Sequence, residues 1–276
     1  MNTVQRALWY IEHHSQESLT LNSIASACNV SPFYLTRAFS ALFGQTPVRY
    51  MRRRRLSEAA RQLADGAPDI LALALEHGYN SHEAFSRAFK ETFALTPEQV
   101  RSQGHTDNLI LTEAISMSIG THIQLDAPRR ESLKSLHLAG LVSRFHCDAK
   151  AGIPQQWQRF QPLLSALSSH SGDAAYGACF NFDDEGSFDY MTGVEVPAQA
   201  SLPSGVVRTT LPEQDYAVFA YSGHIADITS VMAAIWNHGL TDHGLEPSHG
   251  PTLEKYGPDF DPNTGQGGFE VWIAVR

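Results

Sequence analysis

The sequence predicts a multidomain protein with an all-α N-terminal domain and an α+β C-terminal domain of two pseudo-symmetric strand-helix-strand-strand halves. Three observations predict it. Helical periodicity runs through the first hundred residues, a motif recurs within them at a spacing of fifty residues, and strand-like runs alternate with helical stretches afterwards. The polar stretch 102–108 has no periodicity and predicts a linker, which places the domains at 1–104 and 109–276.

Helix-start and helix-stop signals divide the N-terminal domain. Periodic apolar residues predict a first helix over 3–14 and a second over Leu21–Cys28. Ser31-Pro32 begins the third, with serine as the N-cap and proline at the first helical position, and Gly44 ends it. Thr46-Pro47 then begins a long fourth helix that runs to about residue 64.

The same pattern of caps and aromatic residues occurs a second time. Ser31, Arg37, Ala38, Phe39, Phe43, Thr46 and Pro47 recur as Ser81, Arg87, Ala88, Phe89, Phe93, Thr96 and Pro97. Two copies are too few for a solenoid. They indicate two copies of one small helical unit joined by the fourth helix.

Each copy has the layout of a helix-turn-helix, in which a short turn leads to a second helix with a polar outward face. Residues near the start of such a helix reach base edges in the major groove, where arginine can donate two hydrogen bonds to guanine. The residues predicted to contact DNA are Phe33, Thr36 and Arg37 in the first copy and His82, Glu83, Ser86 and Arg87 in the second. A helical bundle with solvated polar faces is the alternative that spacing leaves open.

Charge and cysteine content limit the class of protein. The net charge is −9, but residues 1–104 carry +2 and residues 105–276 carry −11, which indicates two modules with different partners. No apolar run is long enough for a membrane span. The three cysteines lie far apart without a CxxC spacing, which speaks against disulfides or a zinc site and predicts a cytoplasmic protein.

Two segments of the N-terminal domain resemble the DNA-binding domain of the AraC/XylS family. They are Ile24-Ala25 with Ser31-Pro32-Phe33-Tyr34-Leu35-Thr36-Arg37-Ala38-Phe39, and Ala74-Leu75-Glu76-His77-Gly78-Tyr79 with Phe85-Ser86-Arg87-Ala88-Phe89-Lys90 and Thr96-Pro97. The resemblance implies two recognition helices that enter successive major grooves about 34 Å apart, joined by a helix over 47–64. Arg53–Arg55 on that helix are predicted to contact phosphates or other parts of the chain.

Short alternating runs predict the strands of the C-terminal domain. They are Ser116–Leu125, His137–Phe145, Ala175–Phe182, Phe188–Val196, Val206–Leu211, Tyr216–Ser222 and Phe269–Val275. Asp183-Asp184-Glu185-Gly186 reads as a hairpin loop, and Pro154–Ser168 and Ala226–His238 as helices. Residues 239–268, rich in Gly, Pro, His and Asp, are predicted to be a long irregular segment.

The C-terminal residues favour a ligand site over a catalytic or metal site. No phosphate loop, GxSxG motif or metal-ligand spacing occurs, so no catalytic residue, metal or cofactor is predicted. Aromatic faces beside a carboxylate suit a lipophilic cation. The predicted ligand contacts are Trp157, Phe182, Tyr190, Tyr221, Trp236, Tyr256, Glu270 and Trp272. Each aromatic residue could equally be core.

The C-terminal part resembles the GyrI-like effector-binding domain in several runs, among them Phe188-Asp189-Tyr190-Met191-Thr192-Gly193-Val194-Glu195-Val196, Glu254-Lys255-Tyr256 and Glu270-Val271-Trp272-Ile273. The domain order is similar to the Rob-type branch of AraC/XylS regulators. The resemblance implies a central aromatic cleft with Glu270 facing a cationic ligand. The sequence as a whole favours a transcription activator that responds to a small apolar or cationic ligand in the C-terminal domain, with promoter DNA, the small-molecule effector and RNA polymerase as partners and no membrane.

Two alternatives for the C-terminal domain stay open on the sequence. It could be a small hydrolase, if Glu195 or Glu270 stood beside Tyr256 as an acid next to a nucleophile. It could instead bind a protein such as gyrase through its acidic surface. The absence of a drug-sized cavity would favour the second alternative.

Overall fold

A computed structural model of the chain describes residues 2–14, 19–115, 123–167 and 172–276. The described residues group into two units by their contacts. Residues 2–35 and 46–115 belong to the first unit, and residues 36–45 and 123–276 belong to the second.

Side-chain caps begin the helices where the sequence predicts them. Thr46 Oγ1 accepts a hydrogen bond from Arg49 N, Ser81 Oγ from Ala84 N, and Thr96 Oγ1 from Gln99 N. The resulting helices are α1 (Thr3–His13), α2 (Leu21–Ala27), α3 (Pro32–Phe43), α4 (Pro47–Ala64), α5 (Ile70–Glu76), α6 (His82–Phe93) and α7 (Pro97–Gln103). The repeat predicted from the sequence is therefore present as α2–α3 and α5–α6, with α4 between them.

Helix α4 supplies much of the core of the second helix-turn-helix. Leu56 and Leu63 on α4 are buried in one cluster with Phe85 and Phe89 of α6. Burying these aromatic rings leaves the opposite side of α6 facing outward, and Glu83 and Arg87 on that side are exposed. Packing of the apolar face thus presents the polar face of α6.

The segment after α7 lies along α4. Thr112 N donates to Ser57 Oγ (2.9 Å), and Thr112 O accepts from Arg54 Nη1 (3.1 Å). Ile115 N donates to Tyr50 Oη (3.2 Å), which itself donates to Glu12 Oε1 (2.6 Å). These hydrogen bonds attach residues up to 115 to the first unit, and Leu109 and Leu111 pack against the core cluster that contains Leu56 and Leu63 of α4.

Replacing Tyr50 with Phe is expected to destabilise the first unit by about 1–2 kcal/mol, because the part-buried Ile115 amide loses its acceptor and the Glu12 carboxylate loses a donor. Thermal unfolding of the full chain should show the transition of the first unit at a lower temperature. Tyr10→Phe is the matched control, since Tyr10 is half-buried and its described contact is ring stacking on His14. Equal melting temperatures for the two variants would contradict the assigned role of the Tyr50 hydroxyl.

The second unit is built on an antiparallel sheet. Its strands among the described residues are β1 (Arg129–Leu133), β2 (Leu136–His146), β3 (Ala175–Phe180), β4 (Ser187–Glu195), β5 (Val207–Leu211), β6 (Gln214–Tyr221), β7 (Thr252–Tyr256) and β8 (Phe269–Val275). They lie in the order β1-β6-β8-β7-β3-β4-β2-β5. The predicted loop at 183–186 does join a hairpin, since β3 and β4 pair antiparallel.

Two strand-helix-strand-strand halves supply six of the eight described strands of this sheet, as predicted, and β1 and β5 are its edge strands. The first is β2, helix α8 (Gly152–Phe160), β3 and β4, and the second is β6, helix α9 (Ile228–Ala234), β7 and β8. They meet where β3 pairs with β7, so that Gly177 lies opposite Glu254. The junction of the halves is thus at the centre of the sheet.

Three predictions of secondary structure need correction. Thr252–Tyr256 is a strand inside the segment predicted to be irregular, and Arg129–Leu133 is a strand that was not predicted. Both are five residues long, and their pairing with neighbouring strands, which is not encoded locally, supplies the stabilisation. Of the predicted strand Ser116–Leu125, residues 116–122 lie outside the described residues, and residues 123–125 are not strand.

The predicted helices of the second unit are not α-helical throughout. Helix α8 ends at Phe160 and continues as a 3₁₀ turn, Gln161–Ala166. The predicted helix Ala226–His238 is helical along its whole length, as a 3₁₀ turn (Ile225–Asp227), α9, a π-helical turn (Ile235–Gly239) and a short helix α10 (Leu240–Asp242). Residue 168, the predicted end of the first helix, lies outside the described residues. A 3₁₀ turn is common at the end of an α-helix, and a π-helical turn usually lies within one.

Candidate ligand cavity and candidate nucleic-acid interface

A cavity of about 640 Å³ lies in the second unit over the junction of the two halves. One wall comes from α8 and the 3₁₀ turn after it, another from the start of α9, and the floor from β3, β4 and β7. Its apolar and aromatic lining includes Ile153, Pro154, Trp157, Phe160, Leu164, Ala175, Tyr190, Ile225, Ile228, Met232, Tyr256 and Phe260. A cavity of this size and lining suits a drug-sized ligand.

A buried carboxylate stands in the floor of this cavity. Glu254 is 8 % exposed, and its Oε2 accepts hydrogen bonds from Tyr190 Oη (2.6 Å) and Tyr256 Oη (3.0 Å). Tyr190 Oη in turn accepts from Trp157 Nε1 (3.0 Å). No Lys, Arg or His of the described chain forms an ion pair with Glu254. The cavity therefore holds a carboxylate without a paired cation.

Burial dominates the protonation of this cluster. It raises the pKa of the Glu254 carboxyl above its ordinary value, and the hydrogen bonds from Tyr190 and Tyr256 oppose that rise. Burial likewise raises the pKa of both phenols well above 10, so both remain donors at neutral pH. The cluster thus has two fixed donors aimed at one acceptor whose charge is not fully compensated.

Gln156 holds α8 over the sheet beside this cluster. Its side chain is fully buried, and Nε2 donates to Leu141 O and Tyr190 O, both at 3.0 Å. The helix is therefore attached to β2 and β4 by a polar side chain, which sets the height of Trp157 above the floor.

Glycine at 177 makes room for the carboxylate. A Cβ on Gly177 would lie 2.5 Å from Glu254 Oε2 and closer still to Tyr190 Oη, distances that real Cβ atoms do not adopt. The side chains of the carboxylate cluster therefore occupy space that only a residue without a side chain leaves free.

Gly177→Ala is expected to destabilise the second unit by about 1–3 kcal/mol and to break the hydrogen bond between Tyr190 and Glu254. Thermal unfolding of the full chain measures the first effect. Gly257→Ala is the matched control, because no atom lies within 4 Å of its added Cβ. Destabilisation of the same size in both variants would show that the cost is not the clash with the cluster.

The structure brings together three of the predicted ligand contacts and separates the others. Trp157, Tyr190 and Tyr256 line the large cavity. Phe182, stacked on Phe188, and Trp236 border a smaller cavity of about 100 Å³ instead. Tyr221 lies outside both linings, and its hydroxyl donates to Asp227 Oδ2 (2.8 Å).

Glu270 and Trp272 lie on the opposite face of the sheet. Glu270 pairs with Lys255 and Trp272 with Leu253, so both share a face with the odd-numbered residues of β7, whereas Glu254 points into the cavity. Glu270 accepts from Arg129 Nη2 (2.8 Å) and from the Trp272 indole (2.9 Å). The carboxylate that the sequence analysis places at Glu270 is thus at Glu254 in the structure. The Glu-x-Tyr spacing of residues 254 and 256 is the signal in the sequence, but without a predicted strand β7 nothing indicates that the two side chains share a face.

Strand pairing also shows whether Glu195 or Glu270 stands beside Tyr256, which the hydrolase alternative requires. Glu195 pairs with Leu138, and like Glu270 it points away from the face that carries Tyr256. Neither of those glutamates therefore stands beside Tyr256, while Glu254 does. Among the described residues, no group of three or more His, Cys, Asp or Glu side chains is placed to hold a metal ion.

In the second helix-turn-helix, the predicted DNA-contacting residues differ in accessibility. Glu83 and Arg87 are exposed one turn apart on α6. His82 Nε2 lies 3.1 Å from Glu98 Oε1, which orients the ring at the start of α6. Ser86 Oγ is buried, without a hydrogen-bond partner in the part of the chain that the structure describes. Glu83 and Arg87 are therefore the most accessible of these residues.

On α3, Phe33 and Thr36 are half-buried, and Arg37 is engaged within the second unit, to which residues 36–45 belong. The Arg37 guanidinium lies 3.5 Å from the ring centre of Phe182, and Nη2 donates to Thr252 Oγ1 (2.9 Å). Burial lowers its pKa to about 10, so it stays charged at neutral pH. Arg37 would have to leave these partners before it could contact a base.

The basic run on the linking helix is partly accounted for by contacts within the chain. Arg54 forms ion pairs with Glu12 (3.0 Å) and Glu58 (2.9 Å), so its guanidinium is engaged within the chain. Arg61 pairs with Glu58 and Glu113.

No described helix is long and apolar enough to cross a bilayer.

Two helix-turn-helix units followed by a sheet domain with an aromatic cavity are the features of a DNA-binding transcription regulator with a small-molecule binding domain. Residues 24–103 match the model of a helix-turn-helix domain of the AraC type, and residues 127–276, more than half of the chain, match the GyrI-like small molecule binding domain. The chain therefore belongs to the GyrI-like small molecule binding domain family, joined here to an AraC-family DNA-binding domain in the order found in Rob.

Two of the relatives are named as transcriptional regulators. The transcriptional regulator Rob of Salmonella typhimurium is 23 % identical over 95 % of this chain and 92 % of its own length. The transcriptional regulator BrlR of Pseudomonas aeruginosa is 37 % identical over 41 % of this chain, and that match spans only 43 % of BrlR. The structure of SAV2435 bound to tetraphenylphosphonium covers 55 % of this chain and 94 % of SAV2435, with 21 % identity and a TM-score of 0.46.

Proposed function

We propose that this regulator senses a lipophilic cation, which binds in the large cavity against Glu254. With the regulator bound to its promoter, binding of the cation activates transcription. The observation that carries the proposal is the buried Glu254 carboxylate, which has no paired cation and stands among aromatic rings. The presence of a drug-sized cavity also supports a small ligand over a protein partner as the occupant of the second unit.

A cation would correct the electrostatic imbalance of the cavity. An unpaired buried carboxylate costs free energy, and two phenol donors offset only part of that cost. A ligand cation supplies the missing charge, and Trp157, Tyr190 and Tyr256 line the same cavity with aromatic rings, whose faces attract cations. A neutral ligand of the same shape would gain the apolar contacts but would leave the carboxylate uncompensated.

Calorimetric titration of the full chain with tetraphenylphosphonium and with tetraphenylborate tests the sign of the charge. The two ions have the same shape and opposite charge, so apolar contacts contribute equally to both. We expect binding of the phosphonium and weak or no binding of the borate. Equal affinities, or tighter binding of the borate, would overturn the assignment of a cation site.

For the DNA-binding part, we infer that α6 contacts one half of the operator through His82, Glu83, Ser86 and Arg87, with Glu83 and Arg87 on bases. We infer that α3 contacts the other half through Phe33, Thr36 and Arg37. The exposed polar face of α6 supports this inference. An operator selected from random DNA by the full chain should contain two recognition elements about one helical turn apart. A selected site with a single element would contradict a role for the first copy.

Activation through RNA polymerase is the remaining part of the proposal. Transcription reconstituted with purified polymerase on a template carrying the selected operator should rise when the regulator and a cation are both present. The control is a template whose operator is scrambled. A fall in transcription from the intact operator would instead assign the protein as a repressor.

A further inference from the structure

The cavity contains a second charged group in addition to Glu254. Lys150 follows β2 in the turn before α8, and its side chain lines the same cavity. The backbone of this turn is attached to α8, since Lys150 O accepts from Ile153 N at 3.0 Å. The backbone of Lys150 is therefore fixed at the edge of the cavity, while its side chain is exposed.

Lys150 faces Glu254 without being bound to it. The two side chains form no ion pair, and Lys150 has no ion-pair partner elsewhere among the described residues. The ammonium is nevertheless near enough for its charge to lower the pKa of Glu254 against the effect of burial. A gap therefore separates a positive and a negative group that line one cavity.

The third charged residue of the lining is Asp173, just before β3. It is exposed, so solvent screens its charge more than that of the buried Glu254. A ligand with only a positive charge would meet repulsion from Lys150 as it approached Glu254. A ligand that also carries an anionic group would replace this repulsion with attraction.

The geometry points to amphipathic zwitterions as the preferred ligand class of this cavity: an aromatic body, a cationic group at Glu254 and an anionic group at Lys150. This inference rests on the proposed function, because it assumes that Glu254 receives the cationic group. It assigns Lys150 a role in specificity that the aromatic and acidic residues do not have. Lys150 would select among cations rather than attract them.

Rhodamine B and its ethyl ester test this inference with one difference between the probes. Both carry the same xanthylium cation on the same aromatic body, and only the acid carries a carboxylate at neutral pH. Fluorescence anisotropy titration of the full chain at low salt should give about fivefold tighter binding of the acid, the effect of one solvent-accessible charge pair. Lys150→Gln should remove this preference, and Lys150→Glu should reverse it.

Lys134→Gln is the matched control, because it removes an exposed lysine that does not line the cavity. It should keep the fivefold preference. Tighter binding of the ester by the unaltered chain, or a preference for the acid that survives Lys150→Gln, would overturn the inference and leave the cation site standing. If neither dye bound while tetraphenylphosphonium did, the zwitterion class would again be wrong. If none of these cations bound, the proposed function would fail as well.

Discussion

Replacing Glu254 with Gln is expected to weaken tetraphenylphosphonium binding by at least about 30-fold, which corresponds to about 2 kcal/mol. The substitution keeps the shape of the side chain and removes its charge. The cation would then enter a low-dielectric cavity without a counter-charge, and desolvation of the ligand would no longer be compensated. Calorimetric titration of the full chain measures the change.

Glu270→Gln is the matched control for this experiment. Glu270 is also a glutamate beside a tryptophan, but it lies on the opposite face of the sheet and is paired with Arg129. Its substitution should leave the affinity for the phosphonium within about twofold, because screened charges at that distance contribute little. A larger loss from Glu270→Gln than from Glu254→Gln would return the cation site to the position that the sequence analysis assigned.

Glu254→Gln is also expected to stabilise the unliganded protein at neutral pH. Burial raises the pKa of Glu254, which means that the folded state disfavours the ionised carboxylate. Glu254 therefore reduces stability as the pH rises through its raised pKa, and the reduction is absent at lower pH, where the carboxyl is neutral. Glutamine avoids this cost, so the melting temperature of E254Q should exceed that of the unaltered chain at pH 7 and the difference should shrink towards acid pH.

Arg87→Ala is expected to weaken binding to the selected operator by about 1–3 kcal/mol and to relax the preference for one base pair. Arg87 is exposed on the outward face of α6, whose inner face is held by Phe85 and Phe89. An arginine in this position can donate two hydrogen bonds to one guanine, so its loss affects one position of the site and not the others. Competition binding against operators with single base substitutions measures both effects.

The control for this variant is Arg159→Ala, which removes the same charge from an exposed position on α8. It should leave the affinity and the base preferences unchanged at physiological salt. If Arg87→Ala lowered affinity equally for every operator variant and reduced the salt dependence, Arg87 would be a phosphate contact and not a base contact. Unchanged affinity would remove it from the interface.

The helices of the DNA-binding part could be predicted almost to the residue. Their ends are set by local chemistry: Thr46 and Thr96 cap helices that begin with proline, and Gly44 adopts the left-handed backbone that ends α3. A hydroxyl three residues from the amide it caps is a property of the sequence alone. The docking of residues 109–115 on α4 could not be predicted, because it depends on side chains some fifty residues away.

The ligand site could be predicted only in part, and Glu254 illustrates the reason. Trp157, Tyr190 and Tyr256 are large aromatic residues that composition already singles out, and they do line the cavity. Which carboxylate joins them depends on which face of the sheet each strand presents, and a shift of one residue in register exchanges the faces. Without β7 in the prediction, that register could not be worked out.

Caps, periodicity and composition act over short distances along the chain, so the sequence was sufficient to predict a helical N-terminal part with a repeated helix-turn-helix and an aromatic, acidic α+β part after it. The folded structure was needed to show that Glu254 faces the cavity while Glu270 is paired with Arg129, and that Arg54 is held within the chain. Those outcomes depend on strand pairing and burial between residues far apart in sequence, which no local pattern records.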